Sequence, residues 1–192
     1  VPRVHYVKSA RKDNPVCKKG ESYYWWKFRY GGKRYSLKPP RPSQLTNSPY
    51  YSGIRSLVEQ IEDTTVTDSD QLNALKEEVR DRLEELQSEC QDSLDNMPDA
   101  LQYSPTGELL QERVDACDSA MSDLDSIEEE FDFEEEDFED KYSDDDFDSD
   151  EERDAKRKEH ESDEESRREQ EQIEWCEEAV SVMSDAVGNC EV

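Results

Sequence analysis

Histidine is scarce in this sequence, and no cysteine belongs to a Cys-x-x-Cys pair. The only histidines are His5 and His160, and the five cysteines, Cys17, Cys90, Cys117, Cys176 and Cys190, lie far apart. An odd, sparse set does not make the disulfide framework of a small secreted domain, so a reducing, cytoplasmic setting is expected. No Ser-His-Asp or Cys-His arrangement is suggested, and the six glycines are scattered rather than gathered into a phosphate-binding loop. A non-catalytic protein without cofactor or metal site is therefore expected. No apolar run approaches the ~20 residues of a membrane span, and no signal peptide is recognised at the start. The chain opens on Val1, which reads as a trimmed initiator or an alternative start, the second pointing to a prokaryotic or viral gene.

Hydrophobic residues are also few, at 32%, against 40% charged residues and a formal net charge of −28. At that ratio burial does not repay chain entropy over the whole length, so folded parts separated by disordered ones are expected. The charge is sorted. Through Leu45 there are twelve basic residues, Arg3, Lys8, Arg11, Lys12, Lys18, Lys19, Lys27, Arg29, Lys33, Arg34, Lys38 and Arg41, against Asp13 and Glu21 only. The front segment thus carries 12 − 2 = +10, and the remainder −28 − 10 = −38. Such an asymmetry implies separate partners for the two parts, or an internal contact between them.

Within the basic part, residues 23–38 read as a hairpin. Aromatic residues favour strands, and Gly31-Gly32 suits a two-residue type I′ turn. That turn sets Tyr30 opposite Lys33, Phe28 opposite Tyr35 and Trp26 opposite Leu37. One face then collects Tyr24, Trp26, Phe28, Tyr30, Tyr35 and Leu37, and the other Tyr23, Trp25, Lys27, Arg29, Arg34, Ser36 and Lys38. The second face suits nucleic acid, because cations neutralise phosphates and rings stack on bases. The candidate binding residues are Tyr23, Trp25, Lys27, Arg29, Lys33, Arg34 and Lys38. Equally, the face is a solvated basic surface whose rings cover a neighbouring element. Residues 1–22 read as a basic flexible arm or an added strand, and residues 39–49, with Pro39-Pro40-Arg41-Pro42, as an extended linker.

The string WWKFRYGGKRYSL resembles the arm-site-binding module of tyrosine recombinases, in which a short sheet enters DNA; the chain lacks their catalytic region. More broadly, the ARKDNP and YYWWKFRYGGKRYS opening, followed by CQDSLDNMPDALQ and GELLQERVDA, is similar to bacteriophage and bacterial proteins through about Ile127. That likeness implies no particular activity.

Residues 50–127 read as an amphipathic helical hairpin. Ser48-Pro49 caps a short helix carrying Ile54, Leu57, Val58 and Ile61. Leu72, Leu75, Val79, Leu83, Leu86, Cys90, Leu94 and Met97 then recur at a mean spacing of about 3.6, which makes one long helix. After a break over Asn96 to Pro105, Leu110, Val114, Cys117, Met121, Leu124 and Ile127 mark its antiparallel return. Cys90 and Cys117 fall on the stripes as small core residues.

Residues 128–165 read as a disordered acidic segment, with Phe131, Phe133, Phe138, Tyr142 and Phe147 as accessible anchors for a protein partner. The run also imitates the charge of a nucleic-acid strand, and Ser143, Ser149 and Ser162 match an acid-directed kinase. Asp146, Asp148 and Asp150 resemble the opening of a calcium loop, but Glu151 and Arg157 stand where its glycine and glutamate belong, leaving diffuse cation binding. Residues 166–188 form a last amphipathic helix with Ile173, Cys176, Val180, Met183 and Val187. Its apolar face buries against the hairpin, giving a bundle, or against a second copy.

The expected fold is mostly α with a small N-terminal β-hairpin, its helical hairpin or bundle interrupted by the acidic segment. The expected function is a nucleic-acid-binding accessory protein, phage or prokaryotic, cytoplasmic (in the host if viral). An acidic inhibitor mimicking nucleic acid and a virion or assembly component are the other two readings.

Overall fold

The computed structural model describes residues 1–143 and 149–192. The sequence readings at Asp146, Phe147 and Asp148 lie outside the described residues. The fold is mostly helical, with a small sheet at the front. Strands β1 (His5–Val7), β2 (Tyr23–Lys27) and β3 (Lys33–Ser36) form an antiparallel sheet in the order β1-β2-β3. A 3-10 turn over Pro42–Leu45 leads to α1 (Pro49–Asp63), α2 (Ser69–Asp95), α3 (Asp99–Gln102), α4 (Pro105–Asp125), α5 (Phe138–Lys141) and α6 (Asp150–Gly188).

The helix ends follow their caps. Ser48 accepts from the Tyr51 amide and Pro49 opens α1; Asp68 accepts from the Gln71 amide at the start of α2; Ser104 precedes Pro105 and accepts from the Gly107 amide. Each side-chain oxygen satisfies an amide that has no partner inside its helix. The α2 stripe is buried as its spacing predicts, from Leu72 through Cys90, and faces Val114, Cys117, Ala120 and Leu124 of α4. The last helix docks on this hairpin, with Cys176, Ala179, Met183 and Val187 joining the same core as Ile54, Leu57 and Ile61 of α1. The expected αα-hairpin thus becomes a four-helix bundle of α1, α2, α4 and α6.

The C-terminal residues close the bundle. The Tyr50 hydroxyl donates to the Cys190 carbonyl at 3.1 Å, and Arg55 makes a two-pronged ion pair with Glu191 at 2.7 and 2.9 Å. Burial, followed by its hydrogen bond with Cys117, pushes the Tyr50 hydroxyl well above its ordinary pKa. All five cysteines are buried and free of disulfides.

The acidic segment differs from its expected form. Helix α6 begins at Asp150 instead of near Ser166. Ser149 caps it through the Glu152 amide, and Asp150, Glu151 and Glu152 fill its first turn, where acids favour the helix dipole. The first half of α6 has almost no apolar stripe to reveal it in sequence. Upstream, residues 131–143 lie along α6 like a strap. Glu139 pairs with Arg153 at 2.8 Å and Arg157 at 2.5 Å, Arg167 donates to the Glu134 carbonyl at 3.0 Å, and Phe131 meets Trp175 with ring centroids 5.8 Å apart. Phe138 is buried, so it is not the accessible anchor the composition suggests. His160, expected in a solvated linker, is buried in α6. No helix of the described residues is long and apolar enough to cross a membrane.

Candidate nucleic-acid interface

The front segment is a three-stranded sheet because the arm supplies an edge strand: His5 pairs with Trp25, Tyr6 with Tyr24 and Val7 with Tyr23. The loop returning to β2 is built on its few polar side chains. Asn14 accepts from the amides of Val16 and Cys17, Asp13 from that of Lys19, and Glu21 from that of Lys18. Gly20 sits at φ 98, where a side chain would be strained. Asp13 and Glu21 thus serve the backbone of the loop and make no ion pair among the described residues.

The hairpin register departs from the two-residue turn. Lys27 pairs with Lys33, Trp26 with Arg34, Trp25 with Tyr35 and Tyr24 with Ser36, leaving Phe28 to Gly32 as a five-residue loop. Gly20 is the only glycine with positive φ among the described residues, so Gly31-Gly32 does not form a type I′ turn. Contacts across three strands set the register here, and the turn dipeptide yields to them. Lys33 lies over the Trp25 ring at 4.3 Å and Arg34 over Phe28 at 4.9 Å, while Trp26 is buried to 2% exposure.

Residues directly opposite share a face, so the expected faces are redrawn. Tyr23, Trp25, Lys27 and Lys33 lie together with His5 and Tyr35. Arg34 and Ser36 cross to the face of Tyr6, Tyr24 and Trp26. Arg29 belongs to the loop, over Tyr30 at 5.3 Å, and Lys38 follows β3. Tyr30 and Leu37, expected on a packing face, are 85% and 57% exposed.

Trp25 is held rather than open. The His5 ring stacks on it at 4.2 Å and 9° from β1, while Lys33 approaches from β3. Tyr23 meets Tyr35 with ring centroids 6.0 Å apart. The exposed rings are instead Tyr30 at the loop tip and Tyr6 on the edge strand, 58% exposed. Sequence reasoning placed Tyr6 in an arm and Tyr30 on an apolar face, and so missed both. The signal available was the alternation of His5-Tyr6-Val7, too short to separate from coil.

Of the twelve cations through Leu45, only Arg41 makes an ion pair among the described residues. Arg41 binds Asp63 at 2.5 Å, which raises its pKa, and with the Ser43–Glu59 hydrogen bonds it ties the 3-10 turn to α1. The other cations have no carboxylate within ion-pair distance among the described residues, although the chain holds 52 acidic residues. The acidic strap instead engages Arg153, Arg157 and Arg167 of α6, and Glu129 just before it pairs with Lys76 of α2. An open groove of about 500 Å³ beside β3 is lined by Val16, Tyr35, Leu37, Lys38, Arg41 and Gln44. Comparison with protein-family models, curated proteins and solved structures finds no match to the chain.

Proposed function

We propose that the protein is a non-catalytic nucleic-acid-binding accessory protein that contacts its ligand through the front sheet. One observation carries this reading: eleven of the twelve front cations are left without a carboxylate partner among the described residues, in a chain of net charge −28. Lysine and arginine clustered beside a small sheet neutralise phosphates and release counterions. Lys27 and Lys33 do so from one face, with Trp25 and Tyr23 as the platform beneath them. Arg34 serves the opposite face, and Arg29 and Lys38 serve the loop and the strand end. Tyr30 and Tyr6 supply exposed rings for base stacking. A phage or prokaryotic setting is part of this proposal.

Binding of labelled duplex and single-stranded DNA, followed by anisotropy over a salt series, tests the reading. About six neutralised phosphates give a log–log slope near −5 on duplex. Lys27→Glu/Lys33→Glu and Arg29→Glu/Arg34→Glu should each weaken binding at least about tenfold, and the larger loss identifies the contacting face. Affinity unchanged in both variants removes the sheet as the binding surface.

A further inference from the structure

His160 is buried to 7% exposure, yet its Nε2 has no hydrogen-bond partner among the described residues. Its ring stands edge-on to Phe138 at 5.6 Å and to Tyr142 at 6.2 Å, so two aromatic side chains from the strap shield it. Buried imidazoles ordinarily satisfy both nitrogens, so an enclosed nitrogen without a partner calls for one.

The surroundings supply the other donors. One ring nitrogen of His160 and one carboxylate oxygen each from Glu136 and Glu164 lie within 4.8 Å of one another. Glu164 follows His160 by four residues on α6, one turn on and on the same face. Glu136 arrives from the strap, where its own amide donates to the Glu164 carboxylate at 3.0 Å and Lys141 holds its side chain at 2.7 Å. Arg167 fixes Glu164 at 2.5 Å. A carboxylate has about four lone-pair sites, so bonds to arginine and to an amide leave room for a metal. Tetrahedral ligands about 2.0–2.1 Å from zinc stand about 3.3 Å apart, so the donors need only a short inward movement to reach those positions. The three groups line a groove of about 780 Å³ between strap and helix, open to solvent on one side.

We propose that Glu136, His160 and Glu164 form a binding site for a divalent transition-metal ion of the zinc type, which staples the acidic strap to α6. One imidazole nitrogen with two carboxylate oxygens suits zinc, whereas calcium and magnesium favour all-oxygen shells of higher number. Three protein ligands leave a fourth position for water or an incoming group. The site is separate from the front sheet and does not depend on its role.

Competition of the reduced full-length protein against a chromophoric zinc chelator, in excess magnesium to occupy the diffuse acidic surface, measures the site. The expected result is one zinc per chain at micromolar or tighter affinity. Glu136→Gln, exposed and remote from the bundle core, and His160→Ala should each weaken it at least about tenfold with helicity retained. Cobalt substitution should give d–d bands without thiolate charge transfer, which separates this site from the cysteines. Affinity unchanged in Glu136→Gln, a thiolate band, or only weak binding abolished by magnesium would each overturn the proposal.

Discussion

Single residues decide where this chain can pack closely. Gly107, in the first turn of α4, is buried against α3, and a Cβ there would fall on the Gln102 carbonyl. That obstacle is backbone and has nowhere to go, so Gly107→Ala forces the short α3 turn away. The expected cost is about 1–3 kcal/mol, within the range for overpacking, measured as a shift in urea midpoint at unchanged slope. The sequence gives no hint of it: GEL after Ser-Pro-Thr reads as an ordinary helix start. Ser48 and Pro49, by contrast, were legible at once, since a cap and a first-turn proline act within four residues of chain. The same contrast holds at Gly31-Gly32. The dipeptide has the composition of a tight turn, but Lys33 over Trp25 and the pairing with β1 outweigh it.

At the scale of elements, apolar spacing found α1, α2, α4 and the second half of α6, because each must bury a stripe to be stable. It failed for the first half of α6. Residues 150–165 are held by the Ser149 cap, charge pairs and the strap, none of which leaves a hydrophobic period. This half has a small cluster of its own, Phe138 with Tyr142, Arg157 and His160, outside the bundle core. Phe138→Ala should therefore loosen it locally. Amides of residues 150–165 are expected to exchange about tenfold faster or more by hydrogen exchange, equivalent to about 1.4 kcal/mol, while amides of α2 and α4 keep their protection. Equal acceleration throughout would mean that strap and bundle open as one unit. The candidate interface was half legible in the same way: composition marked Lys27, Arg29, Lys33, Arg34 and Lys38, but the face each occupies depends on a register set by β1.

Across the whole molecule, a net charge of −28 opposes the compact state. Raising sodium chloride from about 0.01 M to about 0.15 M shortens the screening length from roughly 30 Å to roughly 8 Å. At neutral pH this should raise Tm, read by circular dichroism, because weakened repulsion outweighs weakened surface ion pairs, each worth at most about 1 kcal/mol. Acid acts on the ion pair of Glu191 with Arg55. Its hydrogen bond from Arg55 depresses its pKa against the opposing effect of burial, so its contribution is complete above the unfolded value and disappears as pH drops through the folded one. Glu191→Gln should lower Tm at neutral pH, and the difference from the parent should shrink as pH falls through the depressed folded-state value. A Tm that falls with added salt at neutral pH would show that paired charges, not net repulsion, dominate.

The amino-acid sequence by itself determined the opposition of a basic front and an acidic remainder, the mostly helical class, and the helices whose apolar stripes and caps lie within a few residues of each other. These are local or additive properties, readable without knowing what meets what. Only the tertiary structure decided the third strand, the division of the cations between two sheet faces, and the meeting of Glu136 with His160 and Glu164. Those depend on strand register and on a strap folding back along a helix, where segments distant in sequence compete for the same partners and the winner is set by the sum of contacts.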